Sequence, residues 1–118
     1  MWEIEYTDEF ELWWDTLDES TQDAIAVSVG ILEKVGINLG FPRSSSVKNG
    51  KIAHLRELRI QHRGRPYRIL YAFDPRRVCI LLIGGDKTGN ENWYEEYVPL
   101  AEQLYEIHIN TLKHERLI

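Results

Sequence analysis

Six consecutive apolar residues, Val78-Cys79-Ile80-Leu81-Leu82-Ile83, constrain this chain more than any other stretch. Successive strand side chains point to opposite faces, so a run with no polar residue is buried on both. The run is far too short to span a membrane. It reads as a central strand, entered through Asp74-Pro75-Arg76-Arg77, a β-turn with proline at its second position.

Neighbouring segments supply the rest of a sheet. Tyr67, Ile69, Tyr71 and Phe73 alternate with Arg68, Leu70 and Ala72 in a strand begun by Pro66, where proline is tolerated. The first set is apolar or aromatic throughout and is expected to face helices. His54 to Ile60 is a further strand, with Leu58 and Ile60 on one face and Leu55, Glu57 and Arg59 on the other. His62-Arg63-Gly64-Arg65 is the turn between these two strands, and Arg68 is expected near Glu57 and Arg59. At the N-terminus Trp2, Ile4 and Tyr6 alternate with Glu3 and Glu5 as a half-buried strand.

Helical periodicity fills the remainder. Thr7 suits an N-cap, Asp8 and Glu9 favour the first turn, and Phe10, Trp13, Trp14 and Leu17 recur at helical spacing. The two tryptophans read as packing residues. Asp18 or Ser20 opens a second helix, with a stripe of Ile25, Val29 or Ser28, Leu32 and Val35 and a stop at Gly36. Gly30 inside it costs roughly 1 kcal/mol relative to Ala; a close helix–helix or helix–sheet approach would explain its presence. Residues 37–53, with Gly40, Pro42, Ser44-Ser45-Ser46, Asn49 and Gly50, read as a loop. After Gly84-Gly85 the chain leaves the sheet, and Asn90 or Asn92 caps a last helix. Pro99 kinks that helix or starts a second piece, with Leu100, Ala101, Leu104 and Ile107 or His108 on its stripe and a frayed end from Lys113. The order βααβββα predicts one α+β domain over residues 1–118. It has a mostly antiparallel sheet, an N-terminal α-hairpin on one face and a C-terminal helix.

Composition narrows the functional classes. The lone cysteine, Cys79, excludes an internal disulfide and reads as a buried structural thiol. No basic stretch followed by an apolar one opens the chain, and a cytoplasmic protein without membrane contact is expected. The net charge of −5 conceals a strong segregation. Residues 1–42 carry one Lys/Arg against ten Asp/Glu, residues 43–87 eleven against three, and residues 88–118 two against six. Acidic helices and aggregation-blocking strand edges would give some of this pattern. A focused basic surface for phosphates accounts for it better.

Gly84-Gly85-Asp86-Lys87-Thr88-Gly89 invites comparison with a phosphate-binding loop, but Asp86 stands where that motif requires glycine. The four histidines are scattered and no cluster has metal-ligand spacing, so neither metal nor cofactor is expected. What remains is Glu57, Arg59, Arg68, Lys87, Tyr94 and His54, with Arg56, Lys48 and Arg65 as further basic contacts. Metal-free RNA cleavage needs a base for the ribose 2′-OH, cations for the phosphate and an acid for the departing 5′ oxygen. The arginines and lysine supply the cations, Tyr94 or a lysine the acid, and Glu57, Lys87 or His54 the base. A purely structural Glu57–Arg59–Arg68 ion-pair network is the competing reading.

Several motifs resemble the RelE/HigB-type toxins of type II toxin–antitoxin modules, in the phage-derived HigB-like branch. They are Leu55-Arg56-Glu57-Leu58-Arg59, Tyr67-Arg68-Ile69-Leu70-Tyr71, Gly85-Asp86-Lys87-Thr88-Gly89, and Trp93-Tyr94-Glu95-Glu96 through Pro99, Ala101, Leu104-Tyr105 and His108. The resemblance implies a ribosome-associated mRNA endonuclease that inhibits translation. Its partner would be a cognate antitoxin, in many relatives a helix-turn-helix protein, held in a hetero-oligomer. By motif, Arg68 resembles the strand arginine that contacts the scissile phosphate, and Lys87 the basic residue just after the last strand. Tyr94 resembles a tyrosine at the start of the last helix implicated in cleavage, and Arg59 the arginine ending the Glu-Leu-Arg strand. Asp86 beside Lys87 departs from the pattern, and the general base stays unassigned. Two alternatives on the same fold are a non-enzymatic inhibitor of DNA gyrase, as in the ParE branch, and an inactive relative that only binds its antitoxin.

Overall fold

The computed structural model describes every residue except Asn49 and Ala53, so the loop expected around those two lies partly outside the described residues. Ile4–Tyr6 (β1), Ser44–Ser46 (β2), Arg56–His62 (β3), Arg65–Phe73 (β4) and Cys79–Asp86 (β5) form one sheet in the order β1-β5-β4-β3-β2. Among the described residues Asp8–Asp15 (α1), Glu19–Val35 (α2) and Trp93–His114 (α3) are the α-helices, and Gly36–Asn38 is a short 3-10 turn after α2. Only β1 runs parallel to its neighbour, β5; the other pairings are antiparallel. The apolar run sits inside the sheet as expected, with every residue from Cys79 to Gly85 buried.

The sheet separates two cores. On one face Leu58, Ile60, Tyr67, Ile69, Tyr71 and Leu81 pack against Phe10, Ile25 and Leu32 of the α1–α2 hairpin. On the other, Leu55, Leu70, Ala72, Ile80 and Leu82 pack against Trp93, Val98, Ala101 and Leu104 of α3. The alternation expected along β3 and β4 is the one observed. Removing each such aliphatic side chain from water stabilises the fold by about 1.5–3 kcal/mol. Burial raises the Cys79 thiol to about 12, which leaves it an inert core group.

Local chemistry sets the element ends. Thr7 accepts the Phe10 N–H at 3.0 Å and Asp18 the Thr21 N–H at 2.8 Å, so both helices of the hairpin carry side-chain caps. Arg63 and Gly64, at φ 51° and 76°, make the two-residue turn of a tight hairpin, which draws His62 and Arg65 into the strands. Gly36, at φ 64°, ends α2.

Four local expectations are corrected. Ser44–Ser46, expected in a loop, is an edge strand paired with β3. Asn92 occupies the N-cap position of α3 without a side-chain cap bond; Asn90 Oδ1 instead accepts the Asn92 N–H at 3.0 Å. Pro99 starts no second piece but lies inside one helix, whose end is closed by the Leu117 N–H on the Leu112 carbonyl at 2.8 Å rather than frayed. Gly30 is not at a close approach, since a Cβ there would meet nothing within 4 Å.

Candidate active site

Strand register assembles the site on the α3 face of the sheet. Arg59 on β3 lies opposite Arg68 on β4, and Arg68 in turn lies opposite Gly85 on β5. The glycine pair has a packing role. A Cβ on Gly85 would stand 2.6 Å from Trp93 Nε1, and one on Gly84 would collide with the Trp13 ring from the opposite face. Two tryptophans thus clamp the end of β5, and Gly85 lets the first turn of α3 settle onto the sheet. That descent brings Tyr94, the next residue after Trp93, to Glu57.

Glu57 is the hub. Its Oε1 accepts the Tyr94 hydroxyl at 2.5 Å, and its Oε2 accepts the Ser45 hydroxyl at 2.8 Å. Arg68 Nε lies 3.3 Å from Oε1 and Arg59 Nη1 3.6 Å from Oε2. Glu57 and Arg68 are only 6% and 8% exposed. Arg68 Nη1 donates to the Tyr67 carbonyl at 2.9 Å, whereas Nε faces Glu57 without an aligned hydrogen bond. The pair is therefore held by charge, and Arg68 keeps a buried donor with no hydrogen-bond partner among the described residues.

Lys87 completes the array. Its Nζ donates to the Tyr94 hydroxyl at 3.3 Å and sits 4.4 Å from the centre of that ring, a cation–π contact. Burial, and then the Arg68 and Arg59 charges, hold the ammonium below its ordinary value against the opposing pull of Glu57. Burial and the bond to Glu57 push the Tyr94 phenol up, with Arg68 acting in the other direction. At neutral pH Tyr94 is a proton donor flanked by a lysine whose proton is loosened. Both reach open space: Tyr94 borders a groove of about 860 Å³ along α3, and Lys87 one of about 500 Å³ lined by Gly89 to Asn92.

Five of the residues singled out from sequence are thus brought together: Glu57, Arg59, Arg68, Lys87 and Tyr94. The other four stand apart. Arg56 is bonded to Ser44 Oγ, Ser46 Oγ and the Leu39 carbonyl at 3.0–3.1 Å, and alternation puts it on the other face of β3. His54 packs edge-on against Tyr105, with Nε2 3.2 Å from its hydroxyl. Arg65 pairs with Asp86 at 2.9 Å, and Asp86 also takes the Thr88 N–H at 2.9 Å, so the carboxylate beside Lys87 in sequence is occupied elsewhere. Lys48 is exposed and lines the same groove along α3 that Tyr94 borders, without a contact to the cluster. Sequence reasoning missed Ser45, because a three-serine strand has no apolar alternation to mark it, and missed the partnership of Gly85 with Trp93.

The family described as phage derived protein Gp49-like matches residues 12–106. HigB3 of Mycobacterium tuberculosis, named as a toxin, is 38% identical over 94 residues, spanning 79% of this chain and 81% of that protein. The chain belongs to the Gp49-like family of HigB-type proteins. HigB2 of the same organism, also named as a toxin, is 34% identical over 99 residues; the match covers 82% of the Gp49-like chain and about half, 49%, of HigB2. The fold is that of RelE. The isolated E. coli RelE toxin superposes with a TM-score of 0.53 at 13% identity, covering 80% of this chain and 94% of that one. The archaeal RelE–RelB complex from Pyrococcus horikoshii gives 0.53 at 15% identity, over 75% and 97%. This HigB-like chain has no helix among the described residues long and apolar enough to cross a membrane.

Proposed function

We propose that this chain is the toxin of a type II toxin–antitoxin module, a ribosome-associated mRNA endonuclease of the cytoplasm, neutralised by a cognate antitoxin with a helix-turn-helix domain. One observation carries the reading: a loosened lysine and a tightly held phenol touch each other beside a buried, electrostatically fixed arginine. That arrangement supplies a base, an acid and a cation for cleavage of a ribose phosphate by the protein's own side chains. Both carboxylate oxygens of Glu57 are already engaged, by Tyr94 and Arg68 on one side and Ser45 and Arg59 on the other, so it serves to hold Arg68 and Tyr94 in place.

In the proposed step, neutral Lys87 takes the 2′-OH proton and the 2′ oxygen bonds to phosphorus. Arg68 and Arg59 balance the charge growing on the phosphate oxygens. The P–O5′ bond breaks as Tyr94 gives its proton to the departing 5′ oxygen, leaving a 2′,3′-cyclic phosphate and a 5′-hydroxyl. The test is a defined mRNA on purified ribosomes, with cut sites read by primer extension. Wild type cleaves; Arg68→Ala and Lys87→Ala each lose at least about 100-fold when equal folded fractions, checked by circular dichroism, are compared, since Arg68→Ala also strips the buried Glu57 of a partner. Wild-type cleavage by both variants would overturn the assignment.

A further inference from the structure

The unexplained glycine of α2 opens onto a groove on the face away from Glu57. Ala26, Val29 and Gly30 form one wall, Phe10 and Trp14 of α1 the other, and Leu81 lies in its lining, in a space of about 530 Å³. Tyr6, 57% exposed, stands at its end. Gly30 weakens a helix interior by roughly 1 kcal/mol relative to Ala, yet nothing among the described residues comes close enough to require it. The missing side chain leaves room for someone else's.

The rim decides the chemistry of the occupant. Glu11, Asp15 and Glu33 line the groove, within a segment, residues 1–42, whose only cation is Lys34. A polyanion such as RNA is repelled from this face, while apolar anchors flanked by cations are attracted. An apolar groove walled by two helices is the kind of site that takes a third helix presenting side chains at i, i+3 and i+4. We infer that the α1–α2 groove receives an amphipathic helix of a partner protein, apolar along one ridge and bearing Lys or Arg on its flanks. Its occupant is a helix of the antitoxin, which rests on the toxin reading above. Because the groove and the Glu57 site lie on opposite faces of the sheet, docking there leaves the cleavage site uncovered.

The test uses labelled peptides of about 18 residues, long enough for helix formation, with Leu on one face and either Lys or Glu on the other. Their binding to the full chain is followed by fluorescence anisotropy. The Leu/Lys peptide binds wild type, and the Leu/Glu peptide at least about tenfold more weakly. Gly30→Ala retains Leu/Lys binding within about twofold, whereas Gly30→Leu, which changes no charge, weakens it at least about tenfold. The melting temperature of both variants equals or exceeds wild type, since either residue improves helix propensity. No binding of the Leu/Lys peptide to wild type, or equal binding to wild type and Gly30→Leu, overturns the inference. mRNA cleavage measured in parallel stays at the wild-type level in Gly30→Leu; loss of cleavage by wild type itself would strike the nuclease reading and leave the groove result standing.

Discussion

The Tyr94 hydroxyl lies 2.5 Å from Oε1 of Glu57, tying the first turn of α3 to β3 through the one carboxylate that also neutralises Arg68. The proposed cleavage geometry and the stability of the fold therefore share a residue.

Replacing that carboxylate tests the sharing. Glu57→Gln keeps the shape and leaves Arg68 buried beside Arg59 and Lys87 with no counter-charge. Removing one partner of a buried ion pair costs about 3–5 kcal/mol, to be read from urea unfolding. Tyr94 should also ionise at lower pH, since Glu57 is one of the groups holding its proton. The tyrosinate difference spectrum against Tyr94→Phe measures this. A stability loss below about 1 kcal/mol would show that the ion pair is not structural.

The pH dependence of cleavage follows from two opposite displacements. Lys87 is held below its ordinary 10.5, so its neutral form grows as pH rises, while Tyr94, above its ordinary 10.0, stays protonated. Cleavage should climb with pH until the lowered lysine has titrated, then fall as the phenol ionises. Lys87→Arg keeps the charge but cannot lose its proton, and should fall by about 10²–10⁴-fold with the rising limb abolished. Wild-type cleavage by Lys87→Arg would make the lysine an electrostatic contact only.

Gly85→Ala drives a methyl group into the Trp93 ring, which is 1% exposed and has nowhere to move. Overpacking of this kind costs about 1–3 kcal/mol. The displaced α3 should also carry Tyr94 from Glu57, so activity drops more than stability alone explains. Unfolding curves and cleavage rates on the same preparation separate the two losses.

A second buried carboxylate, Asp74, contributes to stability in acid. It accepts Arg76 Nη2 at 2.7 Å and Nε at 3.0 Å, with His108 Nε2 of α3 also at 3.0 Å. Burial pushes Asp74 up, but Arg76, His108 and the Val78 and Arg76 N–H groups outweigh it and hold the carboxyl below its ordinary value. A depressed carboxyl contributes stability above its unfolded value near 3.9 and loses it as pH falls through the folded one. Asp74→Asn should therefore be destabilised at pH 7 by about 1–3 kcal/mol and lose less than wild type between pH 5 and pH 3. Parallel melting curves check both.

Much of this fold was legible because its signals are local and redundant. Alternation along Tyr67 to Phe73 placed the faces of β4, and with Leu58 and Ile60 it put Glu57, Arg59 and Arg68 together on the other side. Lys87 and Tyr94 followed because little chain separates the exit of β5 from α3. The failures lie where a residue answers to distant partners. Ser44 is fully buried against Tyr71, and Ser45 belongs to Glu57, but neither bond has a trace in a polar tripeptide. Arg56 looked like a further basic contact beside Arg59, yet three steps along a strand, an odd number, put it on the opposite face, bonded to Ser44 and Ser46. Gly84-Gly85 resembled a phosphate loop because the two tryptophans that require it lie about 70 residues before and about 10 after in the chain.

The most direct test is transcriptome-wide mapping of new 5′-hydroxyl ends after a brief induction pulse. The account predicts cuts within translated regions, accompanied by growth arrest, with both lost in Arg68→Ala. Growth arrest with intact transcripts and accumulating DNA breaks would contradict it and make the chain an inhibitor of DNA gyrase instead.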